Sequence, residues 1–229
     1  MRGLLHANER CVQMKNVKAS APISLTEEAL VRGLRFLSKR DSDLARILRE
    51  LGPPPMWARE PGFPTLVYII LEQQVSLASA RAAYNRLLAA VSPLTPERFL
   101  ELDDAMLKII GFSRQKTAYG RHLACAIIEG QLNLDALGAM DDATARSELI
   151  KIKGIGPWTA DIYLLMALRR PDIWPSRDLA LAVAVQKVKR LASCPTPDEL
   201  DVLGNAWRPW RAVAARLLWH YYLSNRVRS

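Results

Sequence analysis

Residues 149–178 read LIKIKGIGPWTADIYLLMALRRPDIWPSRD, and this stretch decides the reading of the chain. An apolar segment ending near Lys151 runs into Gly154-Ile155-Gly156. Pro157 then stands where a second helix begins, a position at which its missing N–H costs nothing. Two glycines around one apolar residue admit backbone angles closed to other residues and keep side chains away from the turn. The first N–H groups of the second helix have no intrahelical partner and face outward, which suits an anion such as a nucleic-acid phosphate. A G-x-G turn alone is shared by many helical hairpins. The fuller string GIGPWTA, followed by an apolar helix and a W-P-x-x-D segment ending at Asp178, is far more specific.

Composition agrees without deciding. The 229 residues allow one large domain or two small lobes, and the net charge of +9 favours a polyanionic partner. Cys11, Cys125 and Cys194 are scattered, with no C-x-x-C spacing. They read as reduced thiols of an intracellular protein, not as a zinc site or a disulfide framework. No apolar run reaches membrane-spanning length; Leu66 to Leu71 is much too short. Residues 1–20 have no sustained apolar core or clear cleavage site and read as a basic, disordered tail rather than a secretory signal.

Nearly every other segment predicts helix. Thr26 caps a helix through about Leu37, with Glu27 and Glu28 favourable in its first turn. A shorter helix covers about Ser42 to Leu51. The Pro-rich stretch 52–64, GPPPMWAREPGFP, is the strongest internal boundary. Apolar residues at near-helical period then predict one long helix from Thr65 to about Val91. Short helices follow near 96–100 and 103–110, a longer one is capped by Ser113, and another opened by Asp141 leads into the hairpin. Two or three more lie beyond Asp178, the last from about Pro209 to Ser224. With no β-alternating segment and no internal repeat, the expected class is all-α.

Four segments, in order, resemble the helix-hairpin-helix DNA glycosylase superfamily, and within it the monofunctional 3-methyladenine branch. The hairpin with Asp178 is one. IILEQQVSLASA (69–80) is similar to that branch's Q-Q/L-V-S helix entry, GFSRQKTAYG (111–120) to its G-x-S-x-x-K-A segment, and WRPWRAVAARLLW (207–219) to its C-terminal W-x-P-W-R helix. Together they cover about residues 62–223. The first 60 residues are too short for the β-rich N-terminal domain of longer members. The resemblance therefore implies a compact form with two helical lobes, one of residues 62–170 and the other of 21–61 plus 171–229, and a cleft between them.

It also implies roles. Asp178 is the catalytic carboxylate; taken alone it reads first as an ordinary helix N-cap, and the motif around it reverses that. Trp158 and Trp210 align with aromatic positions that hold the base, and Tyr163 lies beside the family's tyrosine register, which falls on Ile162. Gly154, Ile155, Gly156 and Thr159 form the phosphate-binding element, with Arg114 and Lys116 as further DNA contacts. Gln74 is in register with the side chain that fills the gap left by an everted base. The carbonyls of Ile150, Ile152 and Ile155 are candidate ligands for a monovalent cation. Trp158 stands where strand-cleaving relatives carry a nucleophilic lysine, so no lyase step is expected. Three dispersed cysteines cannot supply the four ligands of an iron–sulfur cluster. The expected function is excision of alkylated purines from double-stranded DNA by a monomer, in a bacterial cytoplasm or eukaryotic nucleus. A glycosylase for deaminated or oxidised bases and a non-catalytic lesion binder are the alternatives.

Overall fold

A computed structural model of the chain describes residues 24–226, so the expected N-terminal tail lies outside the described residues. Among these there are thirteen α-helices, one 3-10 turn and no strand. In order they are α1 (Glu27–Arg40), α2 (Ser42–Leu51), α3 (Phe63–Glu72), α4 (Leu77–Ala90), α5 (Pro96–Leu100), α6 (Asp104–Ile110) and α7 (Arg114–Ile128). Then follow α8 (Leu134–Leu137), α9 (Asp142–Ile150), α10 (Pro157–Met166), α11 (Leu179–Lys189), α12 (Pro197–Gly204), the 3-10 turn Asn205–Trp207 and α13 (Arg211–Arg226). No described helix is long and apolar enough to cross a membrane.

Packing divides these elements into two lobes. In one, α3 lies against α4, α7 and α10, while α10 pairs with α9, α5 with α7, and α6 with α4 and α7. In the other, α13 is the hub for α1, α2 and α11, and α12 joins it through the 3-10 turn. Leu66, Ile69 and Ile70 of α3 are fully buried at the centre of the first lobe. Each such burial contributes on the order of 1.5–3 kcal/mol. In the second lobe, Val213, Ala214, Leu217 and Leu218 of α13 do the same.

Arg216 joins the lobes. Fully buried on α13, it donates to the carbonyls of Met56 and Leu165 at 2.8 Å and of Ala212 at 3.1 Å. Burial pulls its pKa down to about 10, which still leaves it charged at neutral pH. A buried charge is tolerable when carbonyl dipoles replace water in this way.

The long helix expected from Thr65 to Val91 is broken. α3 ends at Glu72, residues 73–76 form a turn, and Ser76 caps α4 by accepting from the Ser79 N–H. Two tertiary contacts stabilise the break. Lys116 Nζ donates to the Leu71 carbonyl at 2.7 Å, and Gln73 Nε2 leaves the helix line for the Gly154 carbonyl and the Thr159 hydroxyl.

Candidate active site and DNA interface

The hairpin is built from α9, α10 and the turn between them. α9 ends at Ile150, and the chain reverses through Gly154, whose φ of +101° lies in the region that favours glycine. A Cβ there would come within 2.3 Å of Tyr119 Cγ, so glycine is needed for shape as well as for angle. Gly156 differs: φ −86° and ψ 178° are open to any residue, and nothing in the protein lies within 4 Å of a Cβ placed on it. The sequence argument that both glycines hold unusual angles is therefore corrected to Gly154 alone. Ile155 is buried and anchors the turn, with its N–H on the Ile152 carbonyl. The bidentate pair of Arg146 with buried Asp161 clamps α9 to α10.

No side chain caps α10, which opens on Gly156 with Pro157 next. Asp141, Ser113 and Asp178, by contrast, each cap the helix they precede. The outward N–H groups of the first turn of α10 are left for an external acceptor, and its dipole favours an anion there.

Asp178 precedes α11 and does two things at once. Its Oδ1 caps the helix by accepting the Leu181 N–H at 2.8 Å. The same oxygen accepts the Trp219 indole N–H at 3.0 Å, and Oδ2 accepts that of Trp158 at 2.8 Å. Two tryptophans, one from each lobe, thus fix the carboxylate in the plane their donors define. Three donors leave about one acceptor site free, on Oδ2, since an ionised carboxylate offers about four. The capping and functional readings of Asp178 are compatible.

The other expected site residues divide. Trp158 is half-buried at the carboxylate. Trp210 is not among the hydrogen-bond partners of Asp178; its ring lies on α1, where a Cβ on Gly33 would meet it at 2.8 Å. The second indole belongs to Trp219, which reads in sequence as plain core. Tyr163 is 0% exposed, and its hydroxyl accepts the Gly62 N–H, so it has no face to offer a base. Thr159 is 2% exposed with its hydroxyl accepting from Gln73, so its side chain braces the turn from behind. Lys116 is spent on the Leu71 carbonyl, and desolvation lowers its pKa. Arg114 is exposed at the start of α7. Gln74 is exposed at φ +56°, carried outward by the turn that Gln73 pins to the hairpin. Val75 and Leu77 beside it are exposed apolar residues.

Residues 67–210 match the HhH-GPD superfamily of base excision DNA repair proteins. The chain belongs to that superfamily. Among its relatives, Bacillus subtilis YfjP is 30% identical over 214 residues, 90% of this chain and 73% of its own. DNA-3-methyladenine glycosylase 1 of Schizosaccharomyces pombe is 26% identical over 198 residues, 83% of this chain and 87% of its own. The solved fission-yeast 3-methyladenine DNA glycosylase Mag1, in complex with abasic DNA, superposes with a TM-score of 0.78 at 26% identity, over 82% of this chain and 95% of that one. This HhH-GPD chain accordingly has the helical architecture of a DNA repair glycosylase, with Asp178, Trp158 and Trp219 at one point between its lobes.

Proposed function

We propose that this HhH-GPD protein is a monofunctional glycosylase that everts alkylated purines, such as 3-methyladenine, from duplex DNA and hydrolyses their glycosidic bond. The observation that carries this reading is a carboxylate held by two indole N–H groups beside a hairpin with uncapped amides. A cationic alkylated purine is already a good leaving group, so no acid is needed to protonate it. As the C1′–N bond lengthens, its electron pair leaves with the base and positive charge collects on the sugar. Asp178 faces that charge and stabilises it electrostatically. Water then bonds to C1′, with Asp178 orienting it or taking its proton.

Taking a base out of the stack costs a few kcal/mol and least at damaged pairs. The face of the half-buried Trp158 indole recovers part of this by cation–π attraction, about 0.5–2 kcal/mol. Gln74, pushed outward at the α3–α4 turn, fills the vacated space. The amides of α10 hold a phosphate. The carbonyls of Ile150, Ile152 and Ile155 fit the oxygen preference of a monovalent cation that would reinforce this; the Ile152 carbonyl, though already bonded to the Ile155 N–H, keeps a second lone pair. With Trp158 in place of an amine nucleophile, the product is an intact abasic site, formed by a monomer wherever DNA is.

The test is chromatography of bases released from methylated DNA. Free 3-methyladenine, with strand breaks appearing only after alkali, is the expected result. Tight binding to damaged DNA without release would identify a lesion binder, and release of only deaminated or oxidised bases a different specificity. Either outcome overturns the proposal.

A further inference from the structure

The turn that delivers Asp178 also carries two side chains with no role in the protein alone. The Asp178 N–H bonds back to the Pro175 carbonyl at 2.9 Å, which closes residues 175–178 into a tight turn with Ser176 and Arg177 at its corners. Arg177 is exposed and has no hydrogen bond or ion pair among the described residues. Among nearby arginines, Arg146 is engaged by Asp161, Arg170 by Asp142, and Arg208 and Arg211 by Asp172. On the other side of Asp178, Leu179 is 74% exposed although it is the first residue of α11.

A free guanidinium one residue from Asp178 opposes the field with which that carboxylate stabilises a developing cation. The conflict disappears once an anion occupies the guanidinium. When a deoxyribose faces Asp178, the phosphates attached to that same sugar are the nearest anions. A side chain one residue from the carboxylate is long enough to reach them. Guanidinium is the group that binds phosphate through two parallel hydrogen bonds. The exposed methyls of Leu179 would meet the apolar face of the same sugar.

We propose that Arg177 grips the backbone phosphate of the everted nucleotide, with Leu179 against its sugar. This rests on the glycosylase reading for the placement of the sugar at Asp178. Because the contact forms after eversion, it favours a lesion over intact duplex. Neutralising the guanidinium also restores the field of the carboxylate at the moment it is needed. The catalytic turn thereby becomes a second strand clamp, separate from the hairpin.

Binding measures this without relying on catalysis. Full-length wild type and Arg177→Gln are titrated, across a range of salt, with two duplexes of one sequence, one intact and one carrying a tetrahydrofuran abasic analogue. Arg177→Gln should bind the analogue about tenfold more weakly, the scale of one hydrogen-bonded charge contact, with little change on intact DNA. Its log–log salt slope on the analogue should be shallower by about 0.9, one phosphate's share. Arg177→Lys should recover part of the loss. A neutral methylphosphonate flanking the analogue should weaken wild type but scarcely affect Arg177→Gln. Equal losses on both duplexes, or the same methylphosphonate penalty in both proteins, overturn the assignment. Since no excision is scored, a protein that binds lesions without cleaving would still show the clamp, so the two readings fail separately.

Discussion

Replacing Trp219 by Phe isolates one donor to the carboxylate. The indole N–H lies 3.0 Å from Asp178 Oδ1 and the ring is almost fully buried on α13. Phe keeps an aromatic ring in that space but cannot donate. A hydrogen bond to a charged group contributes about 1.5–3 kcal/mol, and each 1.36 kcal/mol is tenfold in rate. The ceiling is therefore on the order of 100-fold. Asp178 keeps the Leu181 N–H on the same oxygen and Trp158 on the other, so part of its orientation survives. The expected loss is accordingly near the lower end, about tenfold, in single-turnover excision at saturating enzyme. The smaller ring also leaves a void, and stability should fall by roughly 1–2 kcal/mol, read as a lower melting temperature. Trp210→Phe is the control: that ring packs on Gly33 of α1, so it should lower stability and leave the chemical step alone. Wild-type excision by folded Trp219→Phe, or a larger rate effect from Trp210→Phe, would refute the assignment of the second indole.

Other expectations follow from the same geometry. Gly154→Ala places a Cβ against Tyr119 at a positive φ and should cost about 1–3 kcal/mol in thermal unfolding. Gly156→Ala meets nothing in the protein, so it should keep stability within about 1 kcal/mol while weakening binding to damaged and undamaged duplex alike in a salt titration. Gln74→Ala should leave melting unchanged and slow base eversion, followed with a fluorescent base analogue; Gln73→Ala should disturb the hairpin as well, because it removes the bonds to Gly154 and Thr159. For pH, burial raises the Asp41 carboxyl, but hydrogen bonds from Lys189, Trp207 and the Leu44 N–H outweigh it and leave the pKa below the usual range. A lowered pKa means stability present above the unfolded value and lost as pH falls, so the loss should begin below about pH 4. Asp41→Asn should flatten that acid limb in pH-dependent unfolding.

Much of the site was legible because the hairpin is a local device. Pro157, Gly154 and the W-P-x-x-D spacing place Asp178 beside Trp158 through one turn and one helix. What escaped was tertiary. Trp210 and Trp219 sit nine residues apart in one motif, but α13 begins at Arg211, so Trp210 precedes the helix while Trp219 projects from it toward Asp178 at the start of α11. The apolar period from Leu66 to Ala80 crosses the α3–α4 turn uninterrupted. The chain breaks there because Gln73 and Lys116 find partners distant in sequence, and Ser76 as an N-cap was the one local signal. Tyr163 and Thr159 were named for their place in the string, yet α10 turns both into the protein, where their hydroxyls hold Gly62 and Gln73.

The central claim is that the charge of Asp178 performs the chemistry. Single-turnover release of 3-methyladenine by Asp178→Asn tests it most directly, with thermal melting and abasic-analogue binding measured on the same sample. Asparagine keeps one acceptor for the Leu181 and Trp219 N–H groups but turns an amide toward the Trp158 N–H, so stability should fall by about 1–3 kcal/mol with the fold retained. Excision should fall by about 10²- to 10³-fold, with binding to the abasic analogue preserved. A folded Asp178→Asn protein that releases 3-methyladenine at the wild-type rate would contradict the account and leave Asp178 as a helix cap.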